Sequence, residues 1–353
     1  GKLFNSLFGV DYITAMIVSA VVIVLYTTLG GFLAASTSDF IQSCIMTVAL
    51  IIVLGFGIYT AGGIGQVIDN SRELAGYLSL THSHDQATGA SSPYGFISIV
   101  STLAWGLGYF GMPHILLRFM AIEDHKKLKL SRRVATVWVV ISMGAAVAIG
   151  VVGLSMSKAG AVPYLEGSSA SETIIIQISS LISTHGVIAA LVAGLIIAGI
   201  LAATMSTSDS QLLAASSSVS QNLIKDFAGI KVSQRTEMIL ARLTVVVISV
   251  IAAFLAQNPD SSVFRIVSFA WAGFGAAFGP LILTSLYWKR TNFYGALAGL
   301  VSGGAMVFIW KFLVRPLGGA WDIYELLPAF IVSFAVIVIV SLLTPEPSEE
   351  IQK

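Results

Sequence analysis

A short run of oxygen-bearing residues interrupts one of the most apolar stretches of this sequence. Residues 202–211 read AATMSTSDSQ, and residues 186–208 carry no charge. Residues three and four positions apart share one face of a helix. The oxygen donors related in this way are Ser206, Asp209 and Ser210 on one face, and Ala203 with Thr207 one turn around. Because a hard monovalent cation takes oxygen ligands, these hydroxyls and helix carbonyls predict a cation site.

A local alternative exists for the hydroxyls, since Ser and Thr side chains often bond to the carbonyls of their own helix. That alternative leaves Asp209 unexplained, because a carboxylate inside a membrane span is a functional residue by default. A second carboxylate, Asp39, follows residues 36–38, which we expect to form a short turn. Two interpretations of Asp39 stay open: it caps the helix that follows, or it shares a depth and a cavity with Asp209.

A second irregular stretch, residues 105–114, reads WGLGYFGMPH in the middle of an apolar segment. Pro113 removes one helical hydrogen bond, and the glycines lower the cost of leaving helical geometry. We therefore expect a broken helix that exposes backbone groups at membrane depth, with Trp105 and Tyr109 walling a pocket. The alternative is a kinked packing helix whose glycines admit a close neighbour.

The composition of the whole chain sets the environment of both stretches. Of 353 residues, 10% are charged and 56% hydrophobic, and the mean hydropathy is +0.88. A soluble domain carries about 25% charged residues, and disorder requires low hydrophobicity with high net charge. The net charge of +1 argues against a nucleic-acid partner, and the single cysteine excludes an intrachain disulfide. The sequence therefore predicts an all-α polytopic membrane protein in a lipid bilayer.

Nine stretches approach or exceed the roughly 20 apolar residues that a membrane helix needs. They are residues 12–34, 38–61, 94–120, 131–157, 185–224, 233–256, 264–288, 293–314 and 323–344. The fifth is too long for one crossing, so its C-terminal half should leave the bilayer as an exposed helix. A surface helix is predicted for residues 172–183 in one of the two long outer loops.

Strict alternation of these spans divides the 19 basic residues unequally. Thirteen fall on one side: Arg118, Lys126, Lys127, Lys129, Arg132, Arg133, Lys225, Lys231, Arg235, Arg242, Lys289, Arg290 and Lys353. Six fall on the other: Lys2, Arg72, Lys158, Arg265, Lys311 and Arg315. By the positive-inside rule the first side is cytoplasmic, which puts the N-terminus outside and the C-terminus inside.

Five stretches of the sequence resemble the sodium:solute symporter family, most closely its bacterial proline-transporting branch. They are LYTTLGGFLAASTSD (25–39), WGLGYFGMPHILLRFM (105–120), AATMSTSDSQLLAASS (202–217), SFAWAGFGAAFGP (268–280) and WKRTNFYGALAG (288–299). The resemblance runs nearly from end to end and is weakest in the outer loops and the C-terminal tail.

The resemblance implies a transporter fold of two inverted five-helix repeats with flanking helices, thirteen spans in this branch. Nine spans fit one transmembrane transporter domain over residues 1–353 whose first four helices are absent. Residues 12–61 would be the last two helices of the first repeat, residues 94–288 the second repeat, and residues 293–344 peripheral helices. The broken helix of the first repeat, which completes the sodium and substrate sites in the family, is then expected upstream of Gly1.

The resemblance also implies roles for single residues. Trp105, Tyr109 and Pro113 match positions that contact the substrate. Sodium ligands are implied at Ala203, through its carbonyl, and at the hydroxyls of Ser206 and Thr207. A second cation site of some relatives falls on Ser206 again and on three further residues: Asp39, Asp209 and Ser210. Two departures are Met112, where the proline branch has glutamine, and Asp209, where it has a small hydroxyl residue.

These implications predict a symporter that takes up L-proline with sodium across the cytoplasmic membrane, and no enzyme. Sodium is the only ion implied, and the oligomeric state stays open. One alternative keeps the fold and changes the cargo to another amino acid, a carboxylate or a sugar. A second alternative is a membrane sensor, because symporter-like domains also occur fused to signalling kinases.

Overall fold

The computed structural model of the protein describes residues 1–85, 88–230 and 232–348, and no side chain at residues 31, 32 and 34. The α-helices are α1 (Lys2–Phe8), α2 (Tyr12–Thr60), α3 (Ile64–Arg72), α4 (Phe96–Ala104), α5 (Pro113–Met120), α6 (Leu128–Lys158), α7 (Gly167–Ser171), α8 (Ile174–Ser183), α9 (Val187–Ser217), α10 (Gln234–Leu255), α11 (Val263–Tyr287), α12 (Phe293–Ile309) and α13 (Leu326–Leu343). Strands β1 (His82–His84) and β2 (Ser91–Pro93) form an antiparallel hairpin. A 3₁₀ helix occupies Trp105–Gly111, and π-helical turns follow α9 at Ser218–Phe227 and α12 at Trp310–Val314.

The membrane-spanning stretches agree with the sequence prediction. Among the described residues, eight helical segments are long and apolar enough to cross a membrane. The number rises to nine if Phe96–Gly111 and Pro113–Met120, which meet at a bend of 46°, form one span. The long fifth stretch is helical over Val187–Phe227, and its last turns are π-helical. The surface helix predicted for residues 172–183 is α8, which buries Ile178 and Ile182.

Helix α2 differs from the prediction in one respect. Its two candidate spans, Tyr12–Gly30 and Ala35–Thr60, are joined by continuous helical backbone and meet before residues 36–38, which are helical, so the turn expected at residues 36–38 is wrong. The hydroxyls of Thr37 and Ser38 donate to the carbonyls of Leu33 and Ala35, which satisfies these polar side chains inside the helix. Asp39 therefore lies in a helix interior, and its interpretation as an N-terminal cap is also wrong.

The chain divides into two compact units. Unit 1 comprises residues 1–74 and 124–262, and unit 2 comprises residues 75–123 and 263–353. The core of unit 1 is apolar and lies among α2, α6, α8 and α9. Its most deeply buried side chains are Val53, Ile149, Met156, Ile178 and Ile196.

Lys2 ties together three segments at one end of unit 1. Its ammonium group donates to Ser169 Oγ (2.9 Å), to the Glu172 carboxylate (3.0 Å) and to the carbonyl of Ser261 (2.9 Å). An ammonium group has three protons, so these three hydrogen bonds satisfy it completely. Helix α1 is thereby fixed to the α7–α8 segment and to the loop before α11.

Small residues let α12 and α13 approach closely in unit 2. Gly295, Gly299 and Gly303 lie one turn apart on α12 and are buried. A Cβ atom at these positions would collide with Ser341, Ile337 and Ser333 of α13, respectively. Ser333 Oγ also donates across the interface to the carbonyl of Gly299 at 2.9 Å. Close backbone packing with an interhelical hydrogen bond is how helices associate where lipid supplies no hydrophobic driving force.

A proline inside α11 explains a further close contact of α12. Pro280 has no N–H, so the carbonyl of Ala276 loses its helical hydrogen bond. The backbone of Gly303 packs directly on that carbonyl, and any Cβ at residue 303 would collide with it. The backbone of Gly303 therefore covers the carbonyl that Pro280 leaves without its helical donor.

Gly303→Ala is expected to destabilise the protein by roughly 1–3 kcal/mol, because the added methyl forces α11 and α12 apart. Gly304→Ala is the matched control, since a Cβ at Gly304 meets no atom within 4 Å. Alanine should leave the control as stable or slightly more stable, because it favours helix over glycine. Thermal unfolding of the purified protein in detergent measures both, and equal midpoints for the two variants would contradict the packing explanation.

Candidate functional site

The oxygen donors predicted to bind a cation lie together on α9 in unit 1. The hydroxyls of Ser206 and Thr207 both point at the carbonyl of Ala203, at 3.2 and 3.1 Å. This is the local bonding of the alternative interpretation, and it gathers three oxygens on one turn of helix. Each hydroxyl keeps its acceptor lone pairs while it donates to the carbonyl. Local bonding and a cation site are therefore compatible at these residues.

Asp209, one turn further along α9, is completely buried. The phenol of Tyr26 on α2 donates to its carboxylate at 2.8 Å, and the hydroxyl of Ser210 lies 3.3 Å from the other carboxylate oxygen. Charge-assisted hydrogen bonds of this kind reduce the cost of keeping a carboxylate away from water. The buried position of Asp209 thus has a specific structural support.

Ser210 joins the two carboxylates that were predicted to share a cavity. Its hydroxyl lies 2.8 Å from the carbonyl of Ser206 and 3.5 Å from the carboxylate of Asp39, in addition to its contact with Asp209. A hydroxyl has one proton and can satisfy only one of these three acceptors fully. The cluster therefore brings two carboxylates, a carbonyl and a hydroxyl together, and oxygen atoms of these kinds are the ligands that a hard cation takes.

The contacts of α2 show that this helix changes direction between Tyr26 and Asp39. From Asp39 onward α2 runs antiparallel to α9, since Asp39 is near Ser210 and Ala49 packs on Gly199. In a straight helix, Tyr26 would lie about 20 Å beyond Ser210 at ~1.5 Å per residue. Its phenol instead contacts Met205 and Asp209. The bend brings both halves of α2 to the same turns of α9.

The predicted break in the second stretch lies in unit 2. Helix α4 ends at Ala104, the 3₁₀ helix runs to Gly111, and Met112 is extended before α5 begins at Pro113. A residue before proline avoids the helical conformation for steric reasons, which explains the backbone of Met112. Trp105 and Tyr109 lie in the 3₁₀ helix, and Pro113 opens α5. The expected broken helix is therefore present.

The glycines of this segment also admit a close neighbour, as the alternative interpretation proposed. A Cβ atom at Gly108 would fall on the indole of Trp271, and one at Gly111 would collide with the backbone of α11 at Phe274. This approach lets Trp271 Nε1 donate to the carbonyl of Trp105 at 2.9 Å. Broken helix and close packing thus occur together, and the carbonyl of Trp105 finds a donor on α11.

Aromatic rings surround two of the three predicted substrate residues, Trp105 and Tyr109. The indole of Trp105 is nearly parallel to the rings of Phe264, Trp271 and Tyr324, with centroids 5.3, 5.6 and 5.9 Å away. Tyr109 meets the Trp271 ring edge-on at 4.7 Å and is 45% exposed. Trp271 therefore contacts both of these aromatic residues.

A family model places the chain among known proteins. The model of the sodium:solute symporter family matches residues 1–303. The chain belongs to the sodium:solute symporter family. The family that the sequence stretches predicted is thereby confirmed.

Curated relatives of this symporter-family chain carry proline in their names. It is 41% identical over 349 residues to the osmoregulated proline transporter OpuE of Bacillus subtilis (strain 168), covering 99% of this chain and 67% of the relative. It is 38% identical over 353 residues to the sodium/proline symporter of Staphylococcus aureus, covering 98% and 65%. The chain thus spans about two thirds of the length of these relatives.

A solved structure supports the fold of this symporter-family chain. A sodium-coupled sialic acid symporter in a substrate-bound, outward-open state is similar with a TM-score of 0.71 at 16% identity, over 98% of this chain and 70% of that one. At this identity the likeness concerns the fold alone. The predicted class, an all-α polytopic membrane protein with the inverted-repeat transporter fold, is confirmed.

Two residues of the candidate sites were missed by reasoning from the sequence. Tyr26 lies within the family-like stretch 25–39, and Trp271 within the stretch 268–280. A polar aromatic residue inside an apolar span is a signal that could have singled out each of them. Their partners, Asp209 and Trp105, are too distant in sequence for any spacing rule to pair them.

Tyr26→Phe is expected to destabilise the protein by about 1–3 kcal/mol, because it removes a hydrogen bond to a buried carboxylate. In an Asp209→Ser background the same change should cost less, since the acceptor is then gone. Thermal unfolding of the four proteins of this double-mutant cycle measures the coupling. Tyr59→Phe is the control, because Tyr59 is 82% exposed. Additive effects of the Tyr26 and Asp209 changes would contradict the interaction.

Proposed function

We propose that this protein is a secondary active transporter that couples sodium entry to the uptake of L-proline by alternating access. The observation that carries the proposal is the oxygen cluster on α9, which puts hydroxyls, a carbonyl and the carboxylate of Asp209 inside an otherwise apolar span. The names of the two curated relatives support proline as the cargo. Sodium entry supplies the driving force, to which the membrane potential adds about 2.3 kcal/mol per charge per 100 mV.

The first sodium ion is assigned to the turn that holds Ala203, Ser206 and Thr207. The carbonyl oxygen of Ala203 accepts hydrogen bonds there from the hydroxyls of Ser206 and Thr207, at 3.2 and 3.1 Å. Hard cations accept such neutral oxygens as ligands, and the first repeat of the fold would complete the coordination. Because these oxygens belong to neutral groups, no charged side chain has to stay buried at this site when the sodium ion is absent.

The second cation is assigned to Asp39, Asp209 and Ser210. Two carboxylates that approach one hydroxyl repel each other at low dielectric, and a cation between them removes that repulsion. Asp209 adds a negative charge where the proline branch has a hydroxyl residue. The second site should therefore hold its cation more tightly here than in relatives with the hydroxyl.

The substrate is assigned to the break that carries Trp105, Tyr109 and Pro113. Discontinuous membrane helices place unpaired backbone groups at the midplane, where they recognise the charged ends of a small solute. The apolar faces of Trp105 and Tyr109 suit the pyrrolidine ring of proline. We assign residues 12–61 to the first repeat, residues 94–288 to the second repeat and residues 293–344 to peripheral helices, all in one transporter domain.

A second candidate cargo is another small solute, and Met112 favours it. This buried residue, 4% exposed, stands at the break where the proline branch has glutamine. A thioether in place of an amide removes two donors and a strong acceptor from the pocket. Competition of labelled proline uptake by a panel of amino acids, carboxylates and sugars distinguishes the candidates, because the true cargo competes best.

We also propose that the N-terminus of this chain lies outside the cell and the C-terminus in the cytoplasm. Ion pairs support the alternation of spans, since each joins residues assigned to one side. They are Lys2–Glu172 and Lys158–Glu73 on the outer side, and Lys225–Glu237 and Arg290–Glu346 on the inner side. Which of the two sides is cytoplasmic is decided by the positive-inside rule, since 13 of the 19 basic residues fall on one side. Of these basic residues, Lys231 and Lys353 lie outside the described part of the chain.

Ser206→Ala and Thr207→Ala in the full-length protein should each raise the sodium concentration for half-maximal proline uptake by about 5- to 100-fold. The estimate corresponds to roughly 1–3 kcal/mol for one lost ligand. Uptake into proteoliposomes at varied sodium measures the shift. Ser208→Ala is the control, since its hydroxyl donates to the Thr204 carbonyl and lies off the cluster. Unchanged sodium dependence in both variants would remove these residues from the site.

Single cysteines in a Cys44→Ser background test the orientation. Ser168→Cys changes an exposed residue of the predicted outer loop, and Ser131→Cys an exposed residue beside the basic cluster on α6. A membrane-impermeant maleimide should label Ser168→Cys in intact cells, and Ser131→Cys only after permeabilisation. The reverse pattern would invert the assignment.

A further inference from the structure

Tyr324, which precedes α13 in unit 2, is fixed by two other helices. It is 8% exposed, and its phenol donates to the carbonyl of Ser268 on α11 at 2.6 Å. Its backbone N–H donates to the hydroxyl of Ser101 on α4 at 2.9 Å. Burial raises the pKa of the phenol, so the group stays protonated and remains a donor. Side chain and main chain of Tyr324 are thus both held in place.

The ring of Tyr324 stacks against Trp105. The two rings are inclined by 16° with centroids 5.9 Å apart. Trp105 lies in the 3₁₀ helix beside the break, where hydrogen-bond geometry is poorer than in an α-helix and the backbone alone fixes a side chain less well. Stacked rings in offset geometry favour one orientation of the indole. The orientation of Trp105 therefore depends on its aromatic neighbours.

An ion-pair cluster clamps the segment that carries Tyr324. The next residue, Glu325, is completely buried, and its carboxylate contacts Lys311 Nζ at 3.1 Å and Arg315 Nη1 at 2.8 Å. Arg315 Nε also contacts the carboxylate of Asp322 at 2.7 Å. Two cations and two anions leave the cluster neutral, and an alternative conformation would leave buried charge unpaired. The backbone on both sides of Tyr324 is therefore held in one conformation.

We propose that Tyr324 is a positioning residue for Trp105 and thereby sets the affinity of the substrate site. The inference rests on the proposed function, in which Trp105 touches the transported solute. It assigns a role in recognition to the segment between α12 and α13, which lies outside the predicted second repeat. Loss of an aromatic pair of this kind corresponds to roughly a 2- to 10-fold change in an equilibrium constant.

The test compares Tyr324→Leu, Tyr324→Phe and Trp321→Leu in the full-length protein in proteoliposomes. Trp321 belongs to the same segment, is 51% exposed and contacts the ring of Trp310, so its replacement is the matched control. Tyr324→Leu should raise the KM for proline about 5- to 10-fold. Tyr324→Phe keeps the ring and should raise the KM about 2- to 3-fold, and Trp321→Leu should leave it unchanged. The maximal rate per molecule and the sodium concentration for half-maximal uptake should stay within about 2-fold of wild type, since a merely structural defect would lower the rate.

A Trp105→Leu background separates positioning from direct contact. If Tyr324 acts through Trp105, then Tyr324→Leu should cause no further rise in KM there. A full additional rise, or an unchanged KM for Tyr324→Leu in the wild-type background, would overturn the inference. If Tyr324→Leu fails to reach the membrane, the KM of Tyr324→Phe decides. If the wild type takes up another solute of the panel instead of proline, only the proline assignment fails, and the same KM comparison is made with that solute.

Discussion

Every polar group at membrane depth must find its hydrogen-bond partner inside the protein, because hydrocarbon offers none. The two sites of this chain are arranged around that constraint. At the break in unit 2, Trp271 donates to the carbonyl of Trp105 and so supports an irregular backbone. In unit 1, Tyr26 and Ser210 support the buried carboxylate of Asp209. In α11, the carbonyl that Pro280 frees is covered by Gly303.

These solutions differ in how much room they leave for a ligand. The carbonyl of Ala276 is covered by the backbone of Gly303, which packs α12 against α11 and leaves no space for a ligand at that carbonyl. The cluster of Asp39, Asp209 and Ser210 places two carboxylates within 3.5 Å of one hydroxyl. Charge of this kind inside a span is costly and is retained where it has a function. The proposed second cation site therefore lies at a cluster that carries two carboxylates.

Local chemistry predicted from the sequence agrees well with the structure. Apolar length gave the spans, and the steric demands of Pro113 gave the extended residue Met112 before α5. The turn at residues 36–38 was wrong because Thr37 and Ser38 satisfy their hydroxyls within the helix, an option that sequence alone does not distinguish from a turn. The pairs Tyr26–Asp209 and Tyr324–Trp105 could not be predicted, since each joins residues far apart in the chain through a bend or an ion-pair cluster. Residue type was enough to single out Asp209 and Trp105 in the sequence, whereas Tyr26 and Tyr324 were identified from their contacts in the folded structure.

The phenol of Tyr26 has a single proton and two acceptors, the carboxylate of Asp209 at 2.8 Å and the carbonyl of Met205 at 3.1 Å. In the proposed second cation site, a cation bound to the Asp209 carboxylate would take over the role of that proton, and the phenol could then turn toward Met205. Rotation about the phenolic C–O bond belongs to the fastest side-chain motions, on the picosecond to nanosecond scale. The hydrogen bonding of this pair can thus adjust to the arrival and departure of an ion while both helices stay in place.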